Sequence, residues 1–233
     1  MTKEKSSRSL KDANRPKLWT TIAANVAVLF AFAQYHSVST TGVSGLIAGA
    51  TNLVPLTLAL ILTTVANGLL SDETKTRLVF LRWRNVLPGH RAFSVFAVTD
   101  TRVDLEGLRK LIGKEWPTDP DAENRMWYRL FKEIENDPAV LYSHGEYLFT
   151  RDYTGFAALC VIALGTTATL MVGPVSVLLV YLGVLVLQFL VVRHTAATYG
   201  NRFVRTVLAR KAARPFKQSA TASKRAPKPA KAP

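Results

Sequence analysis

Residues 18–71 read LWTTIAANVAVLFAFAQYHSVSTTGVSGLIAGATNLVPLTLALILTTVANGLLS, and no other segment constrains the architecture as strongly. The segment contains no Asp, Glu, Lys or Arg, and His36 is its only side chain that titrates near neutral pH. A helix rises about 1.5 Å per residue, so about 20 apolar residues cross a hydrocarbon core about 30 Å thick. The segment is long enough to cross twice, with a turn in the polar and small residues between Gln34 and Ser44.

A second uncharged run, Tyr153 to Val192, repeats this arrangement around Gly173-Pro174. We therefore expect an α-helical integral membrane protein with four transmembrane helices in two hairpins. A small α or α+β domain would lie between spans two and three. The predicted divisions are a basic N-terminus (1–17), the first hairpin (18–71), a cytoplasmic domain (72–152), the second hairpin (153–192) and a basic, largely disordered tail (193–233).

The net charge of +14 lies in the two tails, because residues 1–17 carry a net +4, 72–152 a net −1, and 193–233 eleven basic residues without an acid. Short flanks rich in Lys and Arg stay cytoplasmic under the positive-inside rule. This distribution predicts a multi-pass inner membrane protein with both termini in the cytoplasm, and it makes nucleic acid an unlikely partner. A cleaved signal peptide ending near Ala31-Phe32-Ala33 is the alternative for the first span.

The middle segment has recognisable helix signals. Asp104 to Ile112 has helical apolar spacing and ends at Gly113, and Asp119-Pro120 forms a typical helix start. The second helix has an apolar face that predicts core packing, formed by Met126, Trp127, Leu130, Phe131 and Ile134. Ala92 to Val98 is rich in β-formers and predicts a short strand. Ala139 to Thr150 predicts either a hairpin or the lead-in to the third span.

Three boundary features accompany the spans. The second span is expected to continue as an amphipathic helix to about Asn85, and Arg151-Asp152 is expected to be an interfacial ion pair rather than an active site. Phe203, Val207 and Leu208 alternate with arginines, which predicts a short basic helix on the inner leaflet.

No strong catalytic or cofactor motif is present in the sequence. A phosphate-binding Gly-rich loop, H-E-x-x-H, paired cysteines and G-x-S-x-G are all missing, so we expect no cofactor and no metal. Cys160 is the single cysteine and cannot form an intrachain disulfide.

The most suggestive polar stretch is Arg82 to Ser94, in which Arg82, Arg84, His90 and Arg91 surround a rigid turn. Arginine guanidinium groups match phosphate geometry, so these four residues are the candidate ligand-binding set for a small, nucleotide-like anion. The alternative is that the arginines pair with lipid phosphates or with Asp72 and Glu73.

Three asparagines, Asn25, Asn52 and Asn67, lie within predicted spans and need polar partners in hydrocarbon. Hydrogen bonding between helices is the simpler interpretation, and a polar path lined by these residues is the alternative. Together with small residues at helical spacing they favour a homo-oligomer in the lipid bilayer.

These features favour a non-enzymatic membrane sensor or effector. Its cytoplasmic domain would bind a small anionic ligand or a protein partner and would act through the membrane bundle. Membrane effectors of bacterial defence systems share this general plan, although the comparison rests on architecture and on no motif. The alternatives are a channel- or transporter-like oligomer and a membrane-bound enzyme that acts on phosphoesters or lipid headgroups through His90, His144 and nearby acids.

Overall fold

The computed structural model describes residues 10–42, 44 and 53–213, and within these ranges the chain is helical, with no residue in a strand. The α-helices are α1 (Leu10–Ala33), α2 (Tyr35–Thr41), α3 (Leu53–Leu69), α4 (Asp72–Phe80), α5 (Ala97–Thr99), α6 (Leu105–Ile112), α7 (Pro120–Glu133), α8 (Pro138–Met171) and α9 (Val175–Ala212). Two 3-10 turns (Pro88–Arg91 and Gly113–Glu115) and one π-helical turn (Ala92–Phe96) complete the set.

Three helices are long and apolar enough to cross a membrane, namely Pro16–Ala33 within α1, α8 and α9, which indicates a membrane protein. They correspond to the first, third and fourth predicted spans. The counterpart of the second predicted span is α3, which has 17 residues and an apolar part at Leu60–Leu69. The beginning of that predicted span, from Gly45, lies outside the described residues.

One core cluster lies among the apolar helices. Ile22 and Leu29 of α1 and Leu60 of α3 pack with residues of α8 and α9, the buried members being Phe156, Cys160, Leu164, Ala168, Val172, Tyr181 and Leu185. Between α8 and α9, the Gln188 Nε2 atom donates a hydrogen bond of 2.7 Å to the Tyr153 hydroxyl. We call this cluster the membrane core.

A second core cluster lies beyond the charged boundary at Arg151-Asp152. It joins Phe80 of α4, Phe93 of the π turn and Trp127 of α7 to the ends of the two longest helices, which contribute Val140, Tyr147, Ala196, Phe203, Val204, Val207, Leu208 and Ala212. Burial of a large apolar side chain stabilises a fold by about 1.5–3 kcal/mol. We call α4 to α7, with 138–152 of α8 and 193–212 of α9, the juxtamembrane domain.

Helices α8 and α9 belong to both cores. Their 34 and 38 residues correspond to lengths of about 51 and 57 Å, which exceed a hydrocarbon core of about 30 Å. The charged side chains of α8 end at Asp152, so only 153–171 of this helix can span the membrane. The membrane segments and the juxtamembrane domain are therefore joined by two unbroken helices.

Several sequence expectations agree with this structure. Asp119 caps α7 by accepting a backbone N–H bond, Pro120 begins α7, and Gly113 ends α6. Asp104, expected as the first residue of α6, is its N-cap. The face of α7 predicted to be core has Trp127, Leu130 and Phe131 buried. The lead-in alternative for Ala139 to Thr150 is confirmed, because this segment is the first part of α8.

The predicted strand at Ala92 to Val98 is wrong. The segment forms the π turn followed by α5, and Ala92, Phe93, Phe96 and Ala97 are buried at helical spacing. The Glu123 Oε2 atom accepts the N–H groups of Phe93 and Ser94 at 2.8 and 3.0 Å, which fixes the beginning of this turn. Tertiary packing therefore overrides local β-propensity here.

The helical boundaries also differ from expectation. The second predicted span does not continue to Asn85, because the Ser71 Oγ atom accepts the Thr74 N–H and begins α4, which ends at Phe80. Residues 193–212, expected to belong to a largely disordered tail, are helical. The basic helix expected around Phe203 is therefore present, but its apolar face is not free to lie on the inner leaflet. This segment continues α9, and Phe203, Val207 and Leu208 pack in the juxtamembrane domain because that domain covers their apolar face. Residues 214–233 of the predicted tail lie outside the described residues.

Candidate functional site

A cleft of about 500 Å³ opens in the juxtamembrane domain. Its walls come from α4, the connection and 3-10 turn at 83–90, α7, α8 and α9. Asp72 of α4 lines the cleft next to Arg151 of α8. The cleft therefore lies close to the beginning of the apolar segment of α8.

Five aromatic rings, which we call the aromatic cluster, form one wall of the cleft: Trp127, Phe131, His144, Tyr147 and Phe203. Phe203 is at its centre. The ring of His144 stacks on it with centroids 4.7 Å apart, and Trp127 meets it edge to face at 5.2 Å. Trp127 also stacks on Phe131 at 5.8 Å. Such pairs contribute about 0.5–1.5 kcal/mol beyond area burial.

The aromatic cluster leaves one polar atom unsatisfied. Trp127 is only 7% exposed, and its Nε1–H has no acceptor among the residues that the structure describes. A buried donor without a partner costs about 1–3 kcal/mol. Trp83 and Tyr128 lie at the rim of the cleft, and both are exposed.

The charged groups of the cleft include Asp72 and Arg151, which form part of a buried ion-pair network. The Arg151 Nη2 atom lies 2.9 Å from Asp72 Oδ1 and 3.0 Å from Asp152 Oδ1, and Lys75 Nζ lies 3.4 Å from the same Asp152 oxygen. Arg151 and Lys75 are both nearly inaccessible. The expected ion pair between Arg151 and Asp152 is present. The pairs of Arg151 with Asp72 and of Lys75 with Asp152 tie α4 to α8.

His90 and Asp121 form the opposite rim. The Leu87 N–H donates to His90 Nδ1 at 3.1 Å, so this nitrogen carries no proton, and the neutral ring has its hydrogen on Nε2. The Nε2 atom lies 3.3 Å from Asp121 Oδ1. The side chain of Asp121 is 71% exposed.

Two further titratable groups of the cleft lie in the first part of α8. Burial lowers the pKa of His144, Arg151 lowers it further, and Glu135 partly opposes both effects. Burial also raises the pKa of Tyr147, against a hydrogen bond with Thr76 that lowers it. Both side chains are therefore neutral at pH 7.

The four predicted ligand-binding residues separate into two places. His90 lines the cleft, whereas Arg82, Arg84 and Arg91 do not. Arg82 and Arg91 lie close enough that the charge of Arg91, after burial, lowers the pKa of Arg82. In the described part of the chain, none of the three arginines lies within ion-pair distance of a carboxylate, so the expected alternative pairing with Asp72 or Glu73 is not formed.

The three asparagines have different environments. The Asn25 Nδ2 atom donates to the Thr21 carbonyl of its own helix at 2.9 Å. Asn67 is buried where α3 crosses α8, and its Oδ1 has no partner among the described residues. A Cβ atom on Gly155 would lie 2.8 Å from that oxygen, so only glycine fits this crossing. Asn52 lies outside the described residues.

The cleft also brings together His90 and His144, the two histidines of the enzyme alternative. His144 packs by its ring against Phe131 and Phe203, which makes it part of a wall. Across residues 10–42, 44 and 53–213, no three His, Cys, Asp or Glu side chains are grouped as a metal site would require.

Sequence reasoning did not find the cleft, because its wall is assembled from three helices that are distant in sequence. The available signal was the recurrence of aromatic residues at helical spacing in 127–131 and 144–147, with Phe203 far along the chain. The spacing predicted core packing for α7, which is correct, and it could not show that one side of this core remains open.

No family model, no curated protein and no solved structure matches the chain.

Proposed function

We propose that the chain is a non-enzymatic membrane sensor or effector. Binding of a ligand or a protein partner to the juxtamembrane domain would change the packing of the membrane-spanning helices. One observation carries this proposal: α8 and α9 each contribute buried side chains to both the juxtamembrane domain and the membrane core. A shift of either helix at one end therefore alters contacts at the other end, since packed cores deform little.

In the proposed membrane arrangement, α3 and the residues before it complete a fourth span. The two hairpins then leave both termini and the juxtamembrane domain on the cytoplasmic side of a bacterial inner membrane. The support is the charge distribution, because Lys and Arg are concentrated in the flanks of the spans. A homo-oligomer is part of the proposal, and it rests on small residues of the spans other than Gly155 and Ala157, which are buried within the chain.

The proposed ligand site for a nucleotide-like anion is the surface of Arg82 and Arg91, with Arg84 on the same connection. Two neighbouring guanidinium groups that pair with no carboxylate of the described residues repel one another, and an anion placed between them removes that repulsion. An acidic surface of a protein partner would satisfy the same charges.

The test uses the full-length protein in lipid nanodiscs, titrated with ATP, cyclic AMP and a cyclic dinucleotide. We expect at least one of them to bind, and Arg82→Ala or Arg91→Ala to weaken its affinity about tenfold or more, because each loses a charge-assisted hydrogen bond. Arg129→Ala is the matched control, since Arg129 is exposed and already paired with Glu115 at 3.0 Å.

The same samples report on coupling. Hydrogen exchange in 153–171 and 175–192 should change when the anion binds, and this change should disappear in the Arg82→Ala protein. Failure of all three anions to bind, or equal binding by the three variants, would overturn the anion assignment. Binding without any change in the spans would overturn the sensor proposal.

A further inference from the structure

The cleft of the juxtamembrane domain has a charge opposite to that of the arginine surface. The charged side chains that line it are Asp72, Glu73, Asp121 and Arg151, so carboxylates outnumber guanidinium groups in the lining. Asp72 is paired with Arg151 and Glu73 with Arg77, whereas Asp121 lies near His90 and its side chain is 71% exposed. Arg151 is moreover held by Asp72 and Asp152, so it is not available to attract an anion.

Much of the uncharged lining is aromatic. The aromatic cluster forms the wall, Trp83 and Tyr128 form the rim, and the side chains of Asp121 and Glu73 are both well exposed. The face of an aromatic ring attracts a cation, most strongly when the ring is Trp, and a nearby carboxylate adds to this attraction. Ammonium groups bearing alkyl substituents suit such a site because they gain from both contacts and lose little hydration.

The chain already places one of its own cations over this rim. The Arg77 guanidinium carbon lies 5.9 Å from the ring centroid of Trp83, and its Nη2 atom lies 2.6 Å from Glu73 Oε1. Arg77 itself is not part of the lining. At the rim, the ring of Trp83 and the carboxylate of Glu73 thus already bind one cation, the guanidinium of Arg77, which lies outside the cleft.

We infer that the cleft is a binding site for an alkyl-substituted organic ammonium ion, a class of which choline is the simplest probe. This site is separate from the arginine surface and does not depend on the proposed sensor function. Its ligand is either a free ammonium compound or the headgroup of a membrane lipid, because the cleft lies next to the apolar part of α8.

The test measures binding of choline to the full-length protein in nanodiscs of phosphatidylglycerol. The comparison ligand is 3,3-dimethyl-1-butanol, which has nearly the same shape and no charge. We expect choline to bind and the neutral alcohol to bind at least about fivefold more weakly, as expected for a cation–π and carboxylate site.

Single substitutions test which residues contribute to choline binding. Asp121→Asn and Trp83→Leu should each weaken choline binding about three- to fivefold. Arg77→Gln should strengthen it, because Glu73 and the face of Trp83 become free. Glu115→Gln and Trp19→Leu are the matched controls, since both residues are exposed and neither lines the cleft.

A repeat in phosphatidylcholine nanodiscs distinguishes the two sources. Loss of free choline binding there assigns the site to a lipid headgroup, and unchanged binding assigns it to a free ammonium compound. The inference is overturned if choline does not bind in phosphatidylglycerol, if the neutral alcohol binds equally well, or if Asp121→Asn and Arg77→Gln leave the affinity unchanged. None of these outcomes depends on the anion assay with Arg82 and Arg91.

Discussion

Leu81 ends α4 in the left-handed conformation, with φ 49° and ψ 47°. This conformation costs an L-residue roughly 1–2 kcal/mol, and glycine adopts it freely. Leu81 is exposed, so its replacement loses little packing. We expect Leu81→Gly to stabilise the protein by about 0.5–1 kcal/mol after the entropy of the unfolded chain is included, measured as a rise in Tm. Leu87→Gly, at an ordinary φ of −68°, should instead lower Tm, and a fall in both variants would contradict this account.

His144 makes the stability of the juxtamembrane domain pH-dependent. Burial holds its pKa below the ordinary value of about 6.5, so between the two values the unfolded chain binds more protons than the folded chain. Stability therefore falls as the pH decreases through about 6.5 towards the lower pKa of the folded state. We expect Tm to fall between pH 7.5 and 5.5, and His144→Phe to reduce that fall. An equal fall in both proteins would show that other groups are responsible.

At the scale of single residues, the features that depend on local chemistry were predictable from the sequence. The cap at Asp119 was predictable because a side chain bonds to backbone two or three residues away. The left-handed Leu81 was not, since nothing local favours it. The role of Glu123, which accepts N–H groups some thirty residues earlier, was also beyond local reasoning.

Among the elements, α9 depends on Gly200 for its contact with α4 and α8. A Cβ atom there would lie 2.9 Å from Phe80 Cζ and 2.9 Å from Tyr147 Cε2. We expect Gly200→Ala to destabilise the protein by about 1–3 kcal/mol in thermal unfolding, because both rings are fixed in the core. Gly183→Ala on the same helix meets nothing within 4 Å and should leave Tm unchanged or raise it. Equal effects of the two substitutions would contradict this packing.

The errors at the scale of elements have one physical cause. Ala92 to Val98 has strand propensity, and 203–208 has the amphipathic pattern of an interfacial helix. In each case the apolar face is buried within the chain, since the π turn and the end of α9 pack into the same core. Propensity and periodicity identify an apolar face, whereas the partner that covers it depends on the tertiary structure.

For the whole molecule, the juxtamembrane domain is not contained within 72–152. Its core includes Phe203, Val204, Val207 and Leu208 of α9, which a fragment limited to 72–152 lacks. We expect this fragment, expressed alone, to show no cooperative thermal transition, because the loss of several buried side chains exceeds the usual stability of a small domain. Addition of 193–213 as a linked segment should restore a transition. Cooperative unfolding of the fragment alone would show that α9 is dispensable for this domain.

The overall class was predictable because exclusion of charge from long segments has few explanations other than a membrane. Three of the four predicted spans correspond to helices of sufficient length. The continuity of α8 across the charged boundary was one of two predicted alternatives, whereas that of α9 was not predicted. Loss of apolar character marks the end of a span and does not mark the end of a helix. The cleft follows from this continuity, because α8 and α9 carry part of its aromatic wall.

Sidedness of the chain is the most direct test of the central claim. Single cysteines are introduced at Val98, Gly173 and Pro233 in a Cys160→Ala background, and each is exposed to a membrane-impermeant thiol reagent in intact cells. We predict labelling at Gly173 from outside, and labelling at Val98 and Pro233 only after the cells are opened. Val98 and Gly173 reacting on the same side of the membrane, or recovery of the chain in the soluble fraction, would contradict the account.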